Sequence, residues 1–173
     1  MNKKEVSNLL TRYLVLILLA IPNPFLFSYL FTPLTVYPVY FILKIFYNAV
    51  LLEGNVIFFK GYYANIIPAC IAGAAYYLLL IFNLTTPMKA SKRIKSISYL
   101  FISFLFINII RIILFASLFS IGYKYFSLTH TLTWYMGSTF LVLLIWFSNI
   151  LIFIIREIPI YSDMKKLFKD TKT

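Results

Sequence analysis

An all-α, membrane-spanning helical bundle is the fold class these 173 residues predict, and two observations carry it. The composition is 62% hydrophobic and 20% aromatic with only 12% charged residues, too apolar for an ordinary soluble domain. The apolar residues also run continuously, without alternating, over stretches about as long as a roughly 30 Å hydrocarbon layer requires. Helices meet that demand; strands would need a closed barrel with period-two patterning.

Four such stretches predict four spans in a single integral membrane domain, 1–173. The first, 13–31, lacks a small-residue cleavage site and is longer than a signal-peptide core, so it is read as retained. Pro22-Asn23-Pro24 in its middle removes backbone donors and predicts a kink or a split. Residues 66–84 and 132–155 are free of charge, and 97–121 is interrupted only by Arg111. Residues 34–48 are nearly as apolar, but Pro33, Pro38 and Lys44 interrupt that stretch. The whole of 32–65 is therefore predicted as an outer segment with an interfacial or re-entrant helix rich in Tyr and Phe. A fifth span with an inverted first helix is the alternative.

Lysine and arginine set the orientation, because cytoplasmic connections retain positive charge. The 85–96 loop holds Lys89, Lys92, Arg93 and Lys95 without an acid, and the tail 156–173 holds Arg156, Lys165, Lys166, Lys169 and Lys172. Both are predicted to be cytoplasmic, together with an N-terminus bearing Lys3, Lys4 and Arg12. Residues 32–65 and 122–131 then lie outside the cell membrane. The net charge of +11 is spread over these flanks, which suits anionic lipid and not a nucleic-acid partner. No glycine-rich phosphate loop and no cluster with metal-ligand spacing appears, so neither cofactor nor metal is expected.

Three residue types unusual in apolar helices converge on the predicted outer side. Cys70 lies about four residues, roughly 6 Å of rise, inside the second span. Arg111 lies about ten residues from the outer end of the third, and its long side chain can reach upward. His130 immediately precedes the fourth. Singly, the cysteine suits apolar packing and the histidine an interfacial hydrogen bond. Arg111 is costlier, about 2.5–3.5 kcal/mol on insertion scales, and marks either a site or a pairing, for which Glu53 is the candidate carboxylate.

The joint pattern resembles the exosortase/archaeosortase family of membrane transpeptidases. The residues that carry the resemblance are Ala69-Cys70, Asn108-Ile109-Ile110-Arg111 and His130, in that order, with the basic loop between the first two helices. It extends over roughly 40–155, and Cys70-Ile71-Ala72-Gly73 looks more like the archaeal branches. The resemblance implies a cysteine transpeptidase acting on secreted proteins that end in a short motif, an apolar helix and a basic tail. Cys70 would be the nucleophile, and a thioester would pass to a membrane lipid or another surface acceptor. Arg111 would favour the thiolate or bind the oxyanion, His130 would act as general acid and base, and Asn108 would orient the guanidinium or donate to the oxyanion. Water as acceptor would make the same site a hydrolase. A non-enzymatic transport or assembly subunit with a structural Arg111 is the rival reading.

Overall fold

The computed structural model describes residues 3–21 and 25–170, with side chains for 6–21 and 25–165. It is 77% helical. Helix α1 spans Lys3–Ala20 and α2 Phe25–Tyr47. Strands β1 (Val50–Leu51), β2 (Val56–Phe59) and β3 (Tyr62–Asn65) follow, then a one-turn helix α3 (Pro68–Ile71) and α4 (Gly73–Leu84). The chain continues through α5 (Ala90–Ser120), α6 (Phe126–Leu132), a π-helical turn at Thr133–Gly137, α7 (Ser138–Phe153) and α8 (Tyr161–Asp170). Among the described residues, three helical segments are long and apolar enough to cross a membrane: Phe25–Tyr47, Ala90–Ser120 and Phe126–Phe153. Val6–Ala20 and Pro68–Leu84 are shorter apolar helices.

The expected span 13–31 is not one helix: α1 ends at Ala20 and α2 begins at Phe25, in keeping with a split there, and Pro22-Asn23-Pro24 itself lies outside the described residues. Nor is 32–47 broken at its prolines, because α2 runs continuously through Pro33 and Pro38. The buried stripe Phe27, Phe31, Thr35, Val39 and Leu43 repeats every four residues, and both prolines fall off it, Pro33 being exposed. Beside Pro33, the Thr32 hydroxyl donates to the Ser28 carbonyl at 2.6 Å, one of the ways an apolar helix accommodates proline. Stripe packing outweighs the lost backbone bonds.

Residues 50–65 overturn the all-α expectation locally. They form an antiparallel sheet of order β1-β2-β3, closed by the two-residue turn Lys60-Gly61 with both φ values positive, 49° and 80°. Ile57 and Phe59 bury one face of β2, and the Phe59 ring lies 5.8 Å from that of Tyr47 at the end of α2.

The bundle core is aromatic and then polar. Phe31 stacks on Tyr76 at 3.7 Å, and Tyr76 meets Phe101 and Phe104 edge-on, joining α2, α4 and α5. Further along, Asn83 donates to Ser96 at 2.6 Å and Ser96 to Asn149 at 2.9 Å, all three fully buried, tying α4, α5 and α7.

At that end the N- and C-terminal parts of the chain meet. Arg12 Nη2 donates to both carboxylate oxygens of Asp163 of α8 at 2.9 Å, and Nη1 donates to the Leu84 carbonyl at 3.0 Å. Arg93 takes up the carbonyls of Asn83 and Thr86, satisfying the end of α4. Asp163 is 2% exposed, so Asp163→Ala leaves a buried cation unpaired at a cost of about 3 kcal/mol. The expected result is a lower melting temperature in detergent and faster tryptic removal of the tail at Arg156.

Candidate functional site

At the opposite end of α4, local backbone geometry sets the position of Cys70. Pro68 starts α3, where its missing N–H is harmless, and Ala72 adopts the left-handed conformation, φ 57° and ψ 46°. The expectation of one uninterrupted helix over 66–84 is thereby corrected. A left-handed alanine costs of order 1 kcal/mol, and the break takes the Cys70 carbonyl out of the α4 ladder. Asn108 of α5, 1% exposed, donates its Nδ2 to that carbonyl at 2.9 Å. Asn108 therefore holds the Cys70 backbone and is not seen bonded to the guanidinium.

One turn along α5, Arg111 is half-buried and donates Nη1 to the Ser138 hydroxyl at 2.7 Å, at the start of α7. Glu53 lies exposed in a 3-10 turn and does not pair with it; the salt bridge among the described residues joins Arg12 and Asp163. The structure thus replaces the expected carboxylate by a neutral hydroxyl.

His130 lies within α6, one turn before the π segment. Its ring stacks on Phe126 at 5.5 Å and meets the edge of Phe115 at 5.1 Å, while the residue remains exposed. The π turn next to it has a steric signature: a Cβ at Gly137 would lie 2.9 Å from Thr133 Cγ2. Only glycine fits the widened turn without displacing Thr133, and π turns of this kind occur often at functional sites.

Cys70, Arg111 and His130 all line one cavity of about 430 Å³. Its other walls come from β3, α5, α6 and the π turn, including Tyr62, Phe115, Phe119 and Trp134, so the three polar groups border an aromatic-lined cavity. Among the described residues no group of three His, Cys, Asp or Glu side chains is arranged to hold a metal. Sequence reasoning missed Ser138, the aromatic clamp on His130 and the contribution of β3. The turn pair Lys60-Gly61 between two short apolar runs was the readable signal for the last. Comparison of the chain with family models, curated proteins and solved structures gives no match.

Proposed function

We propose that this protein is a membrane-embedded cysteine transpeptidase that removes a C-terminal sorting signal from secreted proteins and transfers them to a surface acceptor. The observation that carries the reading is the common cavity of Cys70, Arg111 and His130. These groups come from three separate elements, and apolar packing alone gives no reason for a thiol, an imidazole and a guanidinium to meet there.

The reaction uses each group once per half-cycle. The Cys70 sulfur attacks the scissile carbonyl carbon and a C–S bond forms. His130 carries the thiol proton to the leaving nitrogen as the C–N bond breaks, releasing the substrate's apolar C-terminal helix. Arg111, oriented by Ser138, favours the thiolate and receives the developing oxyanion. An acceptor amine or hydroxyl, a lipid headgroup in our reading, then opens the thioester; His130 takes its proton and returns it to sulfur.

In this reading α2, α3–α4, α5 and α6–α7 make four crossings, so the first span moves from 13–31 to Phe25–Tyr47. The 17 residues Pro68–Leu84 rise roughly 26 Å, close to the hydrocarbon thickness. Arg12, Lys89, Lys92, Arg93 and Lys95 belong to the end away from the cavity, which supports cytoplasmic termini and an extracytoplasmic site.

The test is capture of the intermediate. Full-length tagged protein, purified from its host under denaturing conditions, should carry a secreted polypeptide on Cys70 that hydroxylamine releases as a C-terminal hydroxamate. Absence of any such adduct, with identical membrane proteomes in cells carrying the native chain and Cys70→Ala, would overturn the proposal. His130→Ala is expected to slow release of the substrate tail about a hundredfold. His130→Arg separates the two roles of that position, since arginine does not exchange a proton near neutrality; activity below a tenth of native is expected. Full activity there would reassign the position to electrostatics.

A further inference from the structure

The cavity has an unusual wall. Tyr62, Tyr63, Ala64 and Asn65, four consecutive residues of β3, all line it. Side chains of a strand alternate between faces, so a cavity resting on one face would meet only every second residue. Contact with all four means that the cavity opens along the strand's edge. That edge is free among the described residues, because the sheet order β1-β2-β3 gives β3 a neighbour on one side alone.

The hydrogen-bond register identifies which backbone groups point outward. Leu52 N–H donates to the Val56 carbonyl on the β1 side, so Val56 faces away from β3. By alternation Ile57 and Phe59 face β3 and bond their partners Ala64 and Tyr62. Ile66 N–H, two residues beyond Ala64, also points inward and donates to the Asn55 carbonyl. The N–H and C=O groups of Tyr63 and Asn65 therefore project from the free edge into the cavity mouth. Their side chains are exposed, Tyr63 by 69%. Two donors and two acceptors at strand spacing match the backbone of an extended peptide. Five residues after Asn65 the same chain reaches Cys70.

We infer that β3 is the substrate-docking edge: an extended segment of the protein substrate adds to it as a fourth strand through Tyr63 and Asn65. This rests on the cysteine-peptidase reading and names how its substrate is held. Because β3 runs toward Cys70, a peptide lying parallel to it brings its C-terminal carbonyl to the thiol. Recognition through main-chain atoms is sequence-tolerant, and the aromatic walls would select side chains at alternate positions.

The test uses the full-length protein in detergent and a pooled set of biotinylated tetrapeptides carrying a C-terminal acyloxymethyl ketone. This electrophile forms a C–S bond with Cys70 and expels a carboxylate. N-methylation of the probe at the positions facing β3 is expected to slow labelling about tenfold, with the intervening positions indifferent. Tyr63→Pro, which deletes one outward N–H and leaves the β2 bonds in place, should slow the peptide probes similarly and leave iodoacetamide labelling unchanged. Peptide labelling that ignores both N-methylation and Tyr63→Pro would overturn the docking edge and leave the enzyme standing. Failure of every peptide electrophile to label Cys70 faster than iodoacetamide would count against the enzyme reading itself. N-methylation leaves the protein untouched, so misfolding of a variant cannot imitate the result.

Discussion

Cys70→Ala is expected to abolish processing altogether while the protein remains folded in the membrane. The fold is insensitive because the residue's structural contribution lies in its backbone: Asn108 bonds the Cys70 carbonyl, and the turn around it is held by Cys70 N–H to Ile67 and Ala72 N–H to Pro68. The side chain itself is half-buried and borders open volume, so removing one sulfur leaves no sealed void. Chemically the loss is complete, since no other thiol exists in the sequence. Cys70→Ser should fall by at least about a thousandfold, because a neighbouring cation can favour a thiolate, whereas an aliphatic hydroxyl is far less acidic and is not ionised that way. The measurement is release of the substrate's C-terminal helix, followed by mass spectrometry in cells expressing each variant, with melting temperature as the fold control. Native processing in the alanine variant would remove the covalent mechanism.

Three residues that line one cavity stood out in the sequence, and much of the backbone geometry around them did not. Cys70, Arg111 and His130 were legible because each is chemically out of place in an apolar helix, and that discrepancy does not depend on knowing the packing. What composition hid was backbone geometry. Pro33 and Pro38 read as breakers, yet α2 passes through both, since a stripe of buried residues at four-residue spacing is a tertiary effect that local rules do not weigh. Val56–Phe59 is wholly apolar and so lacks the alternation that marks a strand; the Lys60-Gly61 turn was its only local sign. Ala72 gives no hint of a left-handed residue, so the break that exposes the Cys70 carbonyl to Asn108 was invisible. Glu53 suggests itself as a partner for Arg111 by charge alone. The neutral Ser138 that holds the guanidinium is one hydroxyl among many and had no distinguishing mark in the sequence.

Arg111 separates an enzyme from an assembly subunit, and its substitutions are expected to do so by affecting chemistry more than stability. The guanidinium makes one hydrogen bond to protein, at 2.7 Å to Ser138, and the remaining donors of its fork are directed at no carboxylate among the described residues. A purely structural arginine in an apolar bundle would be expected to exhaust its donors on buried acceptors, because each unpaired one is costly there. Arg111→Gln should therefore lower substrate-tail release by about a thousandfold, at the upper end of what loss of an oxyanion donor produces, while the melting temperature changes little. Arg111→Lys retains the charge without the planar fork and should recover part of the loss, to within about a hundredfold of native. The rate at which iodoacetamide labels Cys70 at neutral pH isolates the electrostatic share: it should fall in Arg111→Gln and stay near native in Arg111→Lys. Ser138→Ala should reduce release about fivefold by freeing the guanidinium to rotate, with labelling unchanged. If Arg111→Gln instead unfolds the bundle, or melts lower while releasing tails at the native rate, the arginine is a structural strut and the assembly reading gains what the enzyme loses.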